Sequence, residues 1–413
     1  MNILMANWTW YPSGGDWTYI ESICKLYENK GHHIIPFSVK NNKNFPTPYD
    51  RYFLDEVDYK QYYQKKQIIS GINTALKSIY SLEAKRKVKQ LLNENRVDVA
   101  QLNSITNYHT PSIIPVLRKA KIPIIWRILD YRLICPNSTL FVNGKVCQEC
   151  INNSFYNCII NKCKKKSLLA SSLLAIENYA YSILPIYKQI DLFLFQSEFT
   201  RDMFVKFGYD IKKTHIIENP YDGSGIQPQY NGSNYILYFG RIEKEKGIYT
   251  LLDAMKSLPD IHLKVVGNGT EYLNCIDYTS KNSISNVTFL GPKWNAELEP
   301  IIKDCEFVIV PSEWHEPSPY VVLQSFSYGK PVIASKMGGL NDLIQDRING
   351  LFFKPGDAND LSEKIKSLFS NKVLIKEMGV IAKQILDSKY SPERYYADTM
   401  NVFTSLINSK INI

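Results

Sequence analysis

Residues 308–339 read VIVPSEWHEPSPYVVLQSFSYGKPVIASKMGG, and this stretch decides the fold. Val308-Ile309-Val310 is a β-branched run stopped by Pro311-Ser312. An apolar helical run follows from Tyr320, Gly329-Lys330-Pro331 breaks it, and Val332-Ile333-Ala334 makes a second apolar strand that ends before Gly338-Gly339. Short strands without polar alternation, joined through a helix, are expected where a parallel sheet is covered on both faces. Glu316 falls on the loop that opens the helix. A carboxylate there can hold the hydroxyls of a small polar ligand beside the positive end of the helix.

The same alternation runs through the whole chain. Ile3–Met5, His33–Val39, Val97–Leu102, Ile122–Ile128, Leu192–Phe195 and His215–Ile217 read as strands of one doubly wound α/β domain. Helices are expected at about Asp16–Asn29, Tyr62–Tyr80 and Leu82–Asn93. Turn formers from Asn219 to Gly225 mark a hinge. Tyr235–Phe239, His262–Val266, Val287–Leu290, Phe307–Val310, Val332–Ala334 and Leu351–Phe353 then build a second parallel sheet. A length of 413 residues exceeds what one core usually supports, in agreement with two domains. The expected divisions are residues 1–222, residues 223–390, and a final helix over 391–413 that packs back across onto the first domain. Ligands of such sheets bind beyond the carboxyl ends of the strands. A cleft shared by the two domains is therefore the expected site.

Two motifs point into that cleft. Gly14-Gly15 follows the first strand and precedes a helix, so backbone and helix end can approach a diphosphate or a sugar closely. Gly240-Arg241, with Lys246-Gly247 shortly after, places two fixed cations past a strand end, where they can clamp both phosphates of a nucleoside diphosphate. No Asp-x-Asp pair occurs in the chain, which argues against an enzyme that holds its donor through a divalent ion bound to such a pair.

Together these residues resemble the donor-binding signature of retaining glycosyltransferases of the GT-B fold, family four. In that signature a Glu, seven residues and a second Glu precede a Gly-Lys-Pro-Val-Ile-Ala strand. The resemblance implies an α/β GT-B protein, with two Rossmann-like doubly wound domains facing a central cleft. It implies a nucleotide-sugar donor, bound through Gly14, Gly15, Gly240, Arg241, Lys246, Glu316, Tyr320, Val321 and Gln324, and catalysis resting on Glu316, Asp130, Arg241 and Lys246 without a cofactor. The acceptor would be a glycan or a lipid-linked saccharide of a bacterial surface polysaccharide, met by the first domain. The chain departs from the pattern at three places. Gln324 replaces the second Glu, Ser318-Pro319 stand where Phe and Gly are usual, and Leu129 stands where a His precedes Asp130. Those departures leave open a catalytically silent nucleotide-sugar-binding partner, or an epimerase of the same fold. His109, Asn103, Arg127 and Arg132 are further acceptor-side candidates.

Cys147, Cys150, Cys158 and Cys163 have a spacing that suits a structural zinc ion pinning an insertion over about residues 135–166. The first 225 residues carry 29 Lys and Arg against 19 Asp and Glu, an excess of ten, whereas the remainder is near neutral with 20 against 21. A basic half suits an anionic phospholipid surface. Nucleic acid is not expected as a partner, because two complete α/β domains account for the chain. The basic run Lys162–Lys166 adjoins an apolar stretch, Leu168–Ile176, too short for the ~20 residues of a membrane span. The amino terminus lacks the pattern of a secretory signal. A cytoplasmic protein, peripheral on the inner membrane face, is the resulting expectation.

Overall fold

The computed structural model describes residues 1–56, 79–106, 108–184 and 186–411. Most of the helix expected at Tyr62–Tyr80 lies outside them. The first sheet contains β1 (Asn2–Ala6), β2 (His33–Phe37), β3 (Val99–Leu102) and β4 (Ile124–Arg127). A small antiparallel hairpin of β5 (Phe141–Val142) and β6 (Lys145–Val146) interrupts it before β7 (Leu192–Phe195) and β8 (Thr214–Ile216). Its strand order is β2-β1-β3-β4-β7-β8, parallel throughout. Pro36 is tolerated in β2 because that strand is an edge, where a missing N–H breaks no ladder.

The second sheet contains β9 (Tyr235–Phe239), β10 (His262–Val266), β11 (Val287–Gly291), β12 (Val308–Val310), β13 (Val332–Ser335) and β14 (Gly350–Phe353). Its order is β11-β10-β9-β12-β13-β14, again parallel.

Successive strand residues point to opposite faces, and both faces are apolar because both are covered. In the first sheet Leu4, Ala6, Ala100, Leu102, Ile124 and Trp126 join one core cluster. Ile3, Met5, Val99 and Ile125 join another, beneath the Gly15–Asn29 helix. That second cluster also takes Tyr395 and Phe403 from the last helix, Pro392–Ile411. The Tyr19 and Tyr395 hydroxyls lie 2.6 Å apart, and Lys410 Nζ is 2.9 Å from Asp191. The last helix of the chain thus forms part of the outer layer of the first sheet, which ties the two domains together covalently at both ends.

Candidate active site between the two sheets

Strand order places the site. In the first sheet the order reverses between β1 and β3, and in the second between β9 and β12. At such a switch the loops leaving adjacent strands part in opposite directions and open a crevice. Gly14-Gly15 lies on the segment after β1, and Asn103-Ser104 follows β3. Arg241 lies just past β9, and Glu316 follows β12.

Glu316 is buried, and its Oε1 accepts hydrogen bonds from Lys246 Nζ at 2.6 Å and Ser312 Oγ at 2.6 Å. Burial pushes this carboxyl up, but the adjacent Lys246 charge and the two donors more than offset it, so the acid is held below its ordinary range and ionised at neutral pH. Lys246 also lies 5.1 Å from the centre of the Trp314 ring. Two glycines make this approach possible. A Cβ on Gly247, which has a φ of 70°, would fall 1.8 Å from Pro311 O, and one on Gly339 would fall 2.1 Å from Pro317 O. No larger residue lets the two loops close on Glu316.

Tyr320 and Val321 open the Tyr320–Ser327 helix, whose N-cap Pro319 supplies no side-chain cap. Their amides are at the positive helix end. The Tyr320 side chain packs into the first domain's cluster around Tyr19, and Gln324 lies half-buried one turn further on. Arg241 is exposed just beyond β9, after Gly240 with a φ of 144°.

Across the crevice, Gly14 and Gly15 have open space where side chains would stand. Asp16 follows them in the first helical turn and accepts a hydrogen bond from Ser104 Oγ at 3.2 Å. Burial raises its pKa, while Ser104 and the charge of Arg241 from the opposite domain pull it back. Sequence reasoning stopped at the glycine pair and missed Asp16. Its position directly after them, at a helix start, was the available signal.

Asp130 borders a small, partly open cavity together with Asn103, Ser104, Leu129 and Arg132. Burial lifts its pKa from 3.8 to about 6, the Arg132 backbone N–H opposes this, and the Asp16 charge adds to it. Between about pH 4 and pH 6 the folded chain holds this proton more tightly than the unfolded chain, so the group's contribution to stability falls as pH rises through that window. Asp130→Asn should therefore raise the melting temperature at pH 7 and leave it nearly unchanged at pH 4. Equal gains at both pH values in thermal scans would contradict the burial-driven shift.

Three acceptor-side expectations change. His109 does not reach the cleft: it is fully buried, its Nε2 lies 2.9 Å from Phe37 O, and desolvation lowers its pKa to about 4. Arg132 is committed to a buried ion pair, with Nη2 at 2.9 and 3.0 Å from the Glu177 carboxylate oxygens and Nη1 donating to Pro136 O. Arg127 is likewise internal, joining Ile217 O at 2.7 Å and Asn219 Oδ1 at 2.7 Å, so it ties β4 to the hinge. Asn103 remains at the cavity wall, where its Nδ2 donates to Ala6 O at 3.2 Å.

Cys135, Cys147, Cys150, Cys158 and Cys163 all line one small pocket. The sulfur of Cys158 is turned toward Ser171 O, 3.7 Å away, in a small satellite core. Among the described residues no three His, Cys, Asp or Glu side chains are grouped to hold a metal ion. No step of the proposed transfer runs through a metal ion at these thiols.

Residues 224–385 match the family model Glycosyl transferases group 1. An uncharacterised glycosyltransferase of Methanocaldococcus jannaschii is 32% identical over 188 residues, which cover 45% of this chain and 53% of that protein. The lipopolysaccharide core biosynthesis glycosyltransferase LpsE of Rhizobium meliloti is 28% identical over 159 residues, 38% of this chain and 46% of that protein. The chain spans about half the length of these curated relatives. Among solved structures, Anabaena HepE, in complexes with UDP and with UDP-glucose, covers 98% of this chain and 100% of its own at 18% identity, with TM-scores of 0.67 and 0.66. Residues 224–385 thus match the glycosyl transferases group 1 model, within a chain whose two Rossmann-like domains have the GT-B fold.

Proposed function

We propose that this chain is a glycosyltransferase that moves a sugar from a nucleotide-sugar to a glycan or lipid-linked saccharide, with retention at the anomeric carbon and without a divalent ion. The observation that carries the reading is the Lys246–Glu316 ion pair, its carboxylate buried, at the switch point of the second sheet, with Arg241 exposed just past β9. HepE's complexes with UDP and UDP-glucose support the donor class, and LpsE's role in lipopolysaccharide core biosynthesis supports a surface-polysaccharide setting.

In this mechanism Glu316 holds donor-sugar hydroxyls, while Arg241, Lys246 and the amides of Tyr320 and Val321 meet the diphosphate. The bond between the anomeric carbon and the phosphate oxygen breaks as the acceptor oxygen attacks from the same face. The acceptor's proton passes to the departing phosphate oxygen, so no protein nucleophile is needed. The cations and helix end lower the cost of the negative charge that develops there. Asp130 and Asp16 face the acceptor. With Leu129 in place of a His, Asp130 is the carboxylate of that loop, and its pKa near 6 leaves it mostly ionised at neutral pH and able to orient an acceptor hydroxyl.

The test is transfer from a panel of UDP-, GDP- and ADP-sugars to bacterial lipid extracts in the presence of EDTA, read by mass spectrometry, with the product anomer read by NMR. The reading predicts a metal-independent product with the donor's anomeric configuration. Donor binding without any product would favour the silent partner, an isomerised nucleotide-sugar would favour the epimerase, and an inverted product would sink retention.

A further inference from the structure

The helix Leu168–Ile183 is turned inside out for a water-facing helix. Its buried side carries Ser171, Glu177, Asn178 and Tyr181 beside only the small apolar Ala170 and Ala175, with Glu177 held by Arg132. Its outer side repeats Leu169, Leu173, Ile176, Ala180 and Ile183 at helical spacing. Of these, Leu169 is 67% exposed, Ile176 54% and Ile183 79%. An ordinary surface helix has the opposite arrangement. The preceding short helix, Tyr156–Ile160, packs against it and adds Tyr156 and Ile160, the latter 69% exposed. The result is a continuous apolar ridge of a kind that marks an interaction surface.

The charge around the ridge selects the occupant. Between the two helices the chain runs through Lys162, Lys164, Lys165 and Lys166, of which Lys162, Lys165 and Lys166 are exposed, and Lys188 is exposed beyond the far end. The one acidic residue of the longer helix, Glu177, is buried and paired. An apolar face rimmed by lysines matches the boundary of an anionic bilayer, with the side chains among the acyl chains and the ammonium groups among the headgroups. No described helix is long and apolar enough to cross a membrane, so contact would be along the surface. We infer that this ridge is a docking face for an anionic phospholipid bilayer. Glu177 connects it to the acceptor side: its partner Arg132 lies two residues after Asp130 and lines the same cavity. The inference does not depend on the donor chemistry.

The full chain should co-sediment with vesicles of phosphatidylglycerol and phosphatidylcholine and not with phosphatidylcholine alone. Leu169→Asp with Ile176→Asp should weaken that binding about tenfold or more, and Lys162→Glu with Lys166→Glu should do the same and remove its salt sensitivity. Both pairs are exposed, so melting temperature and nucleotide-sugar binding should match the parent, which separates this surface from the cleft. Failure to bind anionic vesicles, equal binding to neutral ones, or unchanged binding by both variants would overturn the inference. So would a dimer in solution that the Leu169→Asp, Ile176→Asp chain no longer forms, because the ridge would then be covered by a second copy.

Discussion

Glu316→Gln should lower the rate of sugar transfer by about a hundredfold to a thousandfold, the range seen when one fixed electrostatic contact to a transition state is removed. The amide keeps the size of the carboxylate and can still accept from Ser312. It loses the charge that orients Lys246 at 2.6 Å. It also loses the strong acceptor for sugar hydroxyls next to the reacting carbon. Part of the effect reaches stability, since removing one member of a buried ion pair leaves the other uncompensated, at a cost of about 3–5 kcal/mol where burial is complete. Lys246 is less buried than its partner, so the cost here falls below that range. Turnover measured well below the variant's melting temperature isolates the catalytic loss. Near-parental turnover would remove Glu316 from the site.

Arg241→Ala is the second large effect and the cleaner one. The side chain is exposed, and the strand geometry around it is set by the backbone of Gly240 and by Tyr238, whose hydroxyl donates to Arg241 O at 2.6 Å. Removing the guanidinium should leave the melting temperature unchanged. Transfer should fall by about two orders of magnitude, with donor affinity falling as well, because a planar guanidinium matches phosphate oxygens in pairs. Arg241→Lys should recover only part of the loss. Full activity in Arg241→Ala would show that the diphosphate lies elsewhere.

Most of the framework was legible because both sheets are covered on two sides. Their strands are therefore short uniform apolar runs, and Leu192–Phe195, Tyr235–Phe239 and His262–Val266 have the bounds expected from sequence. The hairpin of β5 and β6 escaped notice, since two-residue strands carry no periodicity. Its Asn143-Gly144 turn, with φ of 52° and 76°, was the available sign. On the donor side, glycine spacing and strand ends pointed to Lys246 and Glu316, which meet at 2.6 Å, and to Arg241 just past β9. The acceptor side was less readable because a charged or imidazole side chain looks the same in sequence whether buried or exposed. Arg132 pairs with Glu177 across 45 positions, and His109 bonds to Phe37 across 72. Only the folded packing reveals that both are spent internally. The cysteines were more readable: their close spacing along the chain matches their convergence, together with Cys135, on one pocket.

The most direct measurement is calorimetric titration of the UDP-, GDP- and ADP-sugar panel into the parent chain and into Arg241→Ala, with EDTA in both cells. The account predicts saturable binding of at least one nucleotide-sugar to the parent without metal, and about a hundredfold weaker binding to the variant. If no nucleotide-sugar bound the parent, or if one bound both chains equally well, the diphosphate grip at the heart of the account would be contradicted.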